Sequence, residues 1–138
     1  LTAEHLELEI TEGVLMSGHN YIEKALKELT ELGVTIAMDD FGTGYSSLSY
    51  IRKYPFDMLK IDRSFVNDIT LDTADRELVN AAIVMAHALK IKVVAEGIET
   101  EQQFAMLHDL GCDIGQGYLL SRPISLSAMK DLLTLTIK

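Results

Sequence analysis

Ile36-Ala-Met-Asp-Asp-Phe-Gly-Thr-Gly-Tyr-Ser-Ser-Leu48 joins an apolar run to two adjacent carboxylates and a glycine-bracketed loop. Thr35 to Met38 reads as a buried strand, with Asp39 and Asp40 where it leaves the sheet. Neighbouring strand residues point to opposite faces, so both carboxylates serve one site only if the backbone bends there or an ion bridges them. Gly42 and Gly44 permit such a bend. Two like charges in a partly dry place repel, and a bound divalent cation is the common relief. The plainer alternative makes Ser46 or Ser47 the cap of a helix over 48–54.

The same arrangement recurs to either side. Glu4 to Ile10 alternates as a strand with Glu7 and Glu9 on one face and Leu6, Leu8 and Ile10 on the other, and Glu12 follows at its exit. Ile22, Ala25, Leu26, Leu29 and Leu32 then form a helical stripe, with Glu23 and Lys27 paired outside and Gly33 as the stop. Residues 56–62 read as a third strand with Lys60 near its end, closed by a turn at Asp62 and Arg63. A helix over 73–90 follows, with Leu78, Ala81, Ala82, Met85 and Leu89 inward. Residues 91–96 are a fourth strand ending on Glu96, and Thr100 with Gln103 forms a capping box for a helix that stops at Gly111. A glycine-rich fifth strand over 113–118 carries Gln116, and residues 125–137 form a closing helix with Leu126, Met129, Leu132 and Leu133 inward.

Strands alternating with helices predict an α/β fold with a parallel sheet, open or part of a closed barrel. In an open sheet the functional groups gather at one switch point, whereas in a (β/α)8 barrel they stand at the C-terminal ends of many strands. Glu9, Asp39 with Asp40, Lys60, Glu96 and Gln116 stand at or near the ends of five successive strands. The expectation is therefore a partial (β/α)8, TIM-like barrel of about five parallel strands.

The chain has 138 residues, about one domain, and a formal net charge of -9 that argues against a duplex nucleic-acid or anionic-membrane surface. Cys112 is the single cysteine, which excludes an internal disulfide and reads as a small core residue. No apolar run reaches membrane-spanning length, and the expected location is cytoplasmic, with a membrane anchor elsewhere in the parent protein left open. The start at Leu1, without Met, suggests an excerpt of a longer protein.

Gathered at one rim, the candidate residues are oxygen donors with one ammonium and one amide. No cysteine cluster or histidine pair stands at ligand spacing, and His5, His19, His87 and His108 are scattered. Hard ions such as Mg2+ or Mn2+ suit such a set better than zinc. Two ions bridged by an aspartate suit a phosphodiester and the activation of a water, with Lys60 orienting that water or stabilising charge on the phosphoryl oxygens.

Glu9-Ile-Thr-Glu12, the stretch from Asp39 to Leu48, Leu59-Lys-Ile-Asp62, Ala95-Glu-Gly-Ile-Glu-Thr100 and Gln116-Gly-Tyr118 resemble, in order, the EAL-domain family. The resemblance implies a bacterial phosphodiesterase that linearises cyclic di-GMP with two Mg2+ or Mn2+ ions on a modified TIM barrel. Some members of the family are instead inactive receptors for the same nucleotide. It implies Glu9, Asp39 and Asp40 as metal ligands, Lys60 and Glu96 at the attacking water, and Gln116 in the same network. Glu12 is implied to tether the loop from Asp40 to Leu48, which links metal and nucleotide binding to homodimer formation, and Glu99 to support Glu96. Gly13, where serine or asparagine is common, is a small departure.

The Glu-Ala-Leu motif that names the family, its nearby arginine and the strand with a metal-binding asparagine are not found in residues 1–138. A complete barrel needs roughly 250 residues. The expectation is that residues 1–138 are the C-terminal part of a single EAL phosphodiesterase domain, lacking the N-terminal strands. The remainder of the barrel and upstream sensor domains are then its partners, and the isolated piece pairs with a second copy and turns over slowly or not at all.

Overall fold

The computed structural model describes residues 2–16, 20–41 and 51–136. Five strands, β1 (Glu7–Thr11), β2 (Thr35–Phe41), β3 (Met58–Ile61), β4 (Lys92–Ala95) and β5 (Ile114–Gly115), form one parallel sheet in sequence order. Helices connect them: α1 (Glu12–Met16) and α2 (Asn20–Glu31), then α3 (Arg63–Asn67) and α4 (Thr73–Ala88), then α5 (Glu101–Asp109), with α6 (Leu126–Thr136) closing the described chain. Residues 51–53 are helical ahead of β3, whereas a cap at Ser46 or Ser47 lies outside the described residues.

The register separates the two faces of the sheet by chemistry. Glu9 pairs with Ala37, Ala37 with Met58 and Lys60 with Val94. By alternation one face carries Glu9, Ala37, Lys60 and Val94, and the other carries Ile36, Met38, Leu59, Ile61 and Val93. This second set is 2% exposed or less and forms the core with Val79, Ile83, Ala86 and Leu107 from the helices. The hydrophobic effect thus anchors one face against helices, while on the other Glu9 and Lys60 stand among the buried apolar Ala37 and Val94.

At the N-terminal edge two aspartates satisfy strand amides. Asp57, just before β3, accepts from Ile36 N at 2.9 Å, and Asp113, just before β5, accepts from Val93 N at 2.8 Å. His87 Nε2 also meets Asp113 Oδ2 at 2.8 Å. Burial would raise the Asp113 carboxyl, but the bonds to His87 and Val93 outweigh it and hold the group below the ordinary carboxylate range. A depressed carboxylate stabilises the fold above its unfolded pKa, and that contribution is lost as pH falls through the folded pKa. Asp113→Ala strands the buried Val93 amide, so urea unfolding at pH 7 should show a loss of about 1–3 kcal/mol. The loss should shrink as unfolding is repeated at progressively lower pH, because protonation of the wild-type carboxylate removes the same contribution.

Several element-level expectations change. The N-terminal strand begins at Glu7, because Thr2 Oγ1 bonds Glu4 and His5 at 3.0 Å within a 3-10 turn over Ala3–His5. On α2 the ion pair is Lys24–Glu28, at 3.9 Å, rather than Glu23 with Lys27. Ile22 and Leu26 of α2 are buried, while Ala25 and, just past the helix end, Leu32 are exposed. The inward stripe of α4 is Val79, Ala82, Ile83 and Ala86, while Leu78, Ala81 and Leu89 are exposed. That helix has two adjacent apolar flanks, and the β-branched one seats on the sheet. Leu126, Met129, Leu132 and Leu133 of α6 are exposed as well, because no described element packs over them. Residues 113–118 contribute only a two-residue strand, and α3, unforeseen, starts where Asp62 accepts from Ser64 N. Thr100 and Gln103 form the expected capping box.

Candidate metal and phosphodiester site

Thr11 pairs with Asp39, Phe41 with Ile61, Ile61 with Ala95, and Ala95 with Gly115. The residues next after four of these, Glu12, Asp62, Glu96 and Gln116, therefore line one rim at the C-terminal ends of β1, β3, β4 and β5, beside Asp39 and Asp40 of β2. Strict alternation would turn Asp40 away from Asp39. The register slips between Met38 and Phe41, and Asp40 takes φ +56, the left-handed region tolerated best by Gly, Asn and Asp. The bend foreseen at Gly42 and Gly44 is thus made already at Asp40, and those glycines lie outside the described residues.

The bend gathers carboxylates. Asp39, Asp40 and Glu96 each offer an oxygen, and these oxygens lie within 4.8 Å of one another. Asp39 Oδ1 also accepts from Asp40 N at 2.8 Å. Burial, then repulsion from Asp39 and Asp62, raises the Asp40 carboxyl above its ordinary range. Burial likewise raises Glu96, against the attraction of Lys60. Oxygen donors with crowded, partly desolvated charge fit a hard divalent cation, whose own charge would remove the repulsion.

Lys60 is the neighbouring centre. Its side chain is 5% exposed, and Nζ bonds Glu96 Oε1 at 2.8 Å and Glu9 Oε1 on the other side. Burial works against the ammonium, but the two carboxylates outweigh it and hold its pKa above the ordinary lysine value. Lys60 thus places an ammonium between two carboxylates. Glu9, expected as a metal ligand, lies on Lys60 and outside the three-carboxylate group. Glu96, expected at the water, bridges Lys60 and that group.

The other expected members sit further out. Glu12 is buried, and neither of its carboxylate oxygens has a hydrogen bond among the described residues. Its expected partner is the loop from Asp40 to Leu48, of which residues 42–48 lie outside them. Glu99 is exposed, its backbone amide bonded to Gln103 Oε1 at 2.8 Å. The Gln116 side chain is exposed too, while its backbone spans Ala95 O and Ile98 N. Asp62 joins the cluster unforeseen, within hydrogen-bond reach of Asp40 and held below the carboxylate range chiefly by Ser64. Its position two residues after Lys60, on the same strand face, was the available signal.

A family model for the EAL domain matches residues 1–123. The chain belongs to the EAL-domain family. The cyclic di-GMP phosphodiesterase NbdA of Pseudomonas aeruginosa is 51% identical over 133 residues, covering 96% of this chain and 17% of NbdA. The EAL enzyme Bd1971, solved with cAMP and cyclic di-GMP, superposes with a TM-score of 0.92 at 42% identity, over 96% of this chain and 35% of that one. BlrP1 of Klebsiella pneumoniae, solved with manganese and cyclic di-GMP, gives 0.83 at 35% identity, over 89% of this chain and 31% of its own. This EAL chain thus spans about a sixth of NbdA and about a third of each solved chain. Among its described residues no helix is long and apolar enough to cross a membrane.

Proposed function

We propose that this chain is the C-terminal part of one EAL domain and carries the greater share of a site that hydrolyses cyclic di-GMP to its linear dinucleotide. The observation that carries the reading is the juxtaposition of Asp39, Asp40 and Glu96 with a buried lysine fixed by Glu9 and Glu96. Asp39, Asp40 and Glu96 would hold Mg2+ or Mn2+, with Glu9 at the edge of the set. When bound there, such ions would supply Lewis-acid activation of a water and of the phosphoryl oxygens.

The chain's own residues do the rest. Lys60 Nζ keeps its proton and presents fixed positive charge where negative charge grows on the phosphoryl oxygens, a preorganised form of electrostatic stabilisation. Glu9 and Glu96 aim the ammonium, and Glu96, next to both centres, orients the attacking water toward phosphorus. Gln116 lines the rim beside that water. Glu12 anchors the loop after Asp40, and Glu99 steadies the turn that presents Glu96. Homodimer formation through that loop, a cytoplasmic location and upstream sensor domains complete the reading.

The experiment incubates the full-length protein with cyclic di-GMP beside the isolated 138-residue chain and separates products by chromatography. Linear dinucleotide from the full-length protein, with little or none from the isolated chain, is expected. Release of intact nucleotide from a full-length protein that binds it would make the domain a receptor.

A further inference from the structure

Tyr118 and Arg122 stand in the segment that follows β5 and Gln116. The Arg122 guanidinium lies over the Tyr118 ring, 4.7 Å from its centroid, and the ring is 52% exposed. Among the described residues Arg122 has no carboxylate partner, in a chain of net charge -9. Arginine in so acidic a chain finds a carboxylate easily, so one held on an aromatic face keeps its N–H donors for something else.

The pair is fixed relative to the carboxylates. Leu119 N donates to Ile98 O at 3.0 Å, Ile98 N donates to Gln116 O at 3.1 Å, and Gln116 N donates to Ala95 O at 2.9 Å. Gly117 presses on the Ile98 backbone so closely that a Cβ there would overlap it. The turn carrying Tyr118 is thereby stitched to the segment running from Ala95 through Glu96 to Ile98. Inward-facing Leu119 packs on the core and leaves Tyr118 outward.

We infer that Tyr118 and Arg122 form a platform for a guanine base of the substrate, a deepening that rests on the proposed cyclic di-GMP hydrolysis. A purine stacks on a tyrosine ring or a guanidinium plane, and arginine donates two parallel hydrogen bonds to guanine O6 and N7. Adenine offers a donor at N6 where guanine has O6, so the same fork discriminates against it.

The test measures steady-state hydrolysis by the full-length protein and by its Tyr118→Leu, Arg122→Ala and Arg122→Lys variants. Two substrates are compared, cyclic di-GMP and bis(p-nitrophenyl) phosphate, which has no base. Each variant is expected to raise KM for cyclic di-GMP about 10-fold or more with kcat within about twofold, as loss of uniform binding requires. Turnover of bis(p-nitrophenyl) phosphate should be unchanged, which a merely structural defect would not allow. Unaltered KM in Tyr118→Leu and Arg122→Ala, with active wild type, overturns the platform and spares the hydrolase reading. Equal losses on both substrates overturn it too, by making the pair structural. A wild-type protein that cleaves neither substrate overturns the hydrolase reading and the platform with it.

Discussion

Lys60→Met in the full-length protein is expected to lower kcat for cyclic di-GMP at least ~100-fold, the scale seen when one preorganised charge donor is removed from a transition state. Methionine fills nearly the same buried space, so packing on the sheet is preserved while Glu9 and Glu96 lose their common counter-charge. Both carboxylates reach solvent, Glu9 more than Glu96, so the fold survives without the full penalty of an unpaired buried ion. Circular dichroism and thermal melting should report a folded protein of somewhat lower stability. Wild-type turnover would remove Lys60 from the chemistry.

Asp40→Asn separates activity from stability in the opposite sense. Asparagine keeps the hydrogen-bonding shape and tolerates the φ of +56, so the bend persists. What disappears is one ligand and one charge. Mn2+ affinity by titration calorimetry should fall at least ~100-fold, since changes to residues behind a ligand already cost 10–100-fold. Without metal, the variant should melt higher than wild type near neutral pH. Asp40 has a raised folded pKa, so its ionised form opposes folding as pH rises through the carboxylate range, and asparagine removes that opposition. Asp39→Asn should lose metal binding similarly. An Asp40→Asn protein that binds Mn2+ as tightly as wild type would exclude Asp40 from the metal set.

Much of this architecture was legible because two periodicities met at one place. The apolar run through Ile36 and Met38 marked a buried strand, and polar residues at the strand ends marked the rim, whereas the alternation over Glu4 to Ile10 buries only Ile10 and leaves Leu6 and Leu8 exposed. Helix faces were read less well. On α4 the stripe through Leu78 and Met85 is as apolar as the one through Val79 and Ile83, and periodicity cannot choose between adjacent flanks of one helix. The closing helix misled for another reason, since an apolar face buries only where something covers it, and no described element covers Leu126 or Leu133. The backbone turn at Asp40 was foreseen in kind and displaced in position, because aspartate itself accepts the left-handed conformation that glycine was expected to supply. Asp62 reads in the sequence as the turn that closes β3, whereas in the fold it both caps α3 through Ser64 and faces Asp40.

Strip the full-length protein of divalent ions with EDTA, restore Mn2+ or Mg2+, and follow cyclic di-GMP and its linear product by chromatography, with Lys60→Met in parallel. Linear product should appear only after the ions return, and only with lysine at position 60. Ion-independent cleavage, or intact nucleotide after restoring ions to a protein that binds it, would contradict a hydrolytic site built on Asp39, Asp40, Lys60 and Glu96.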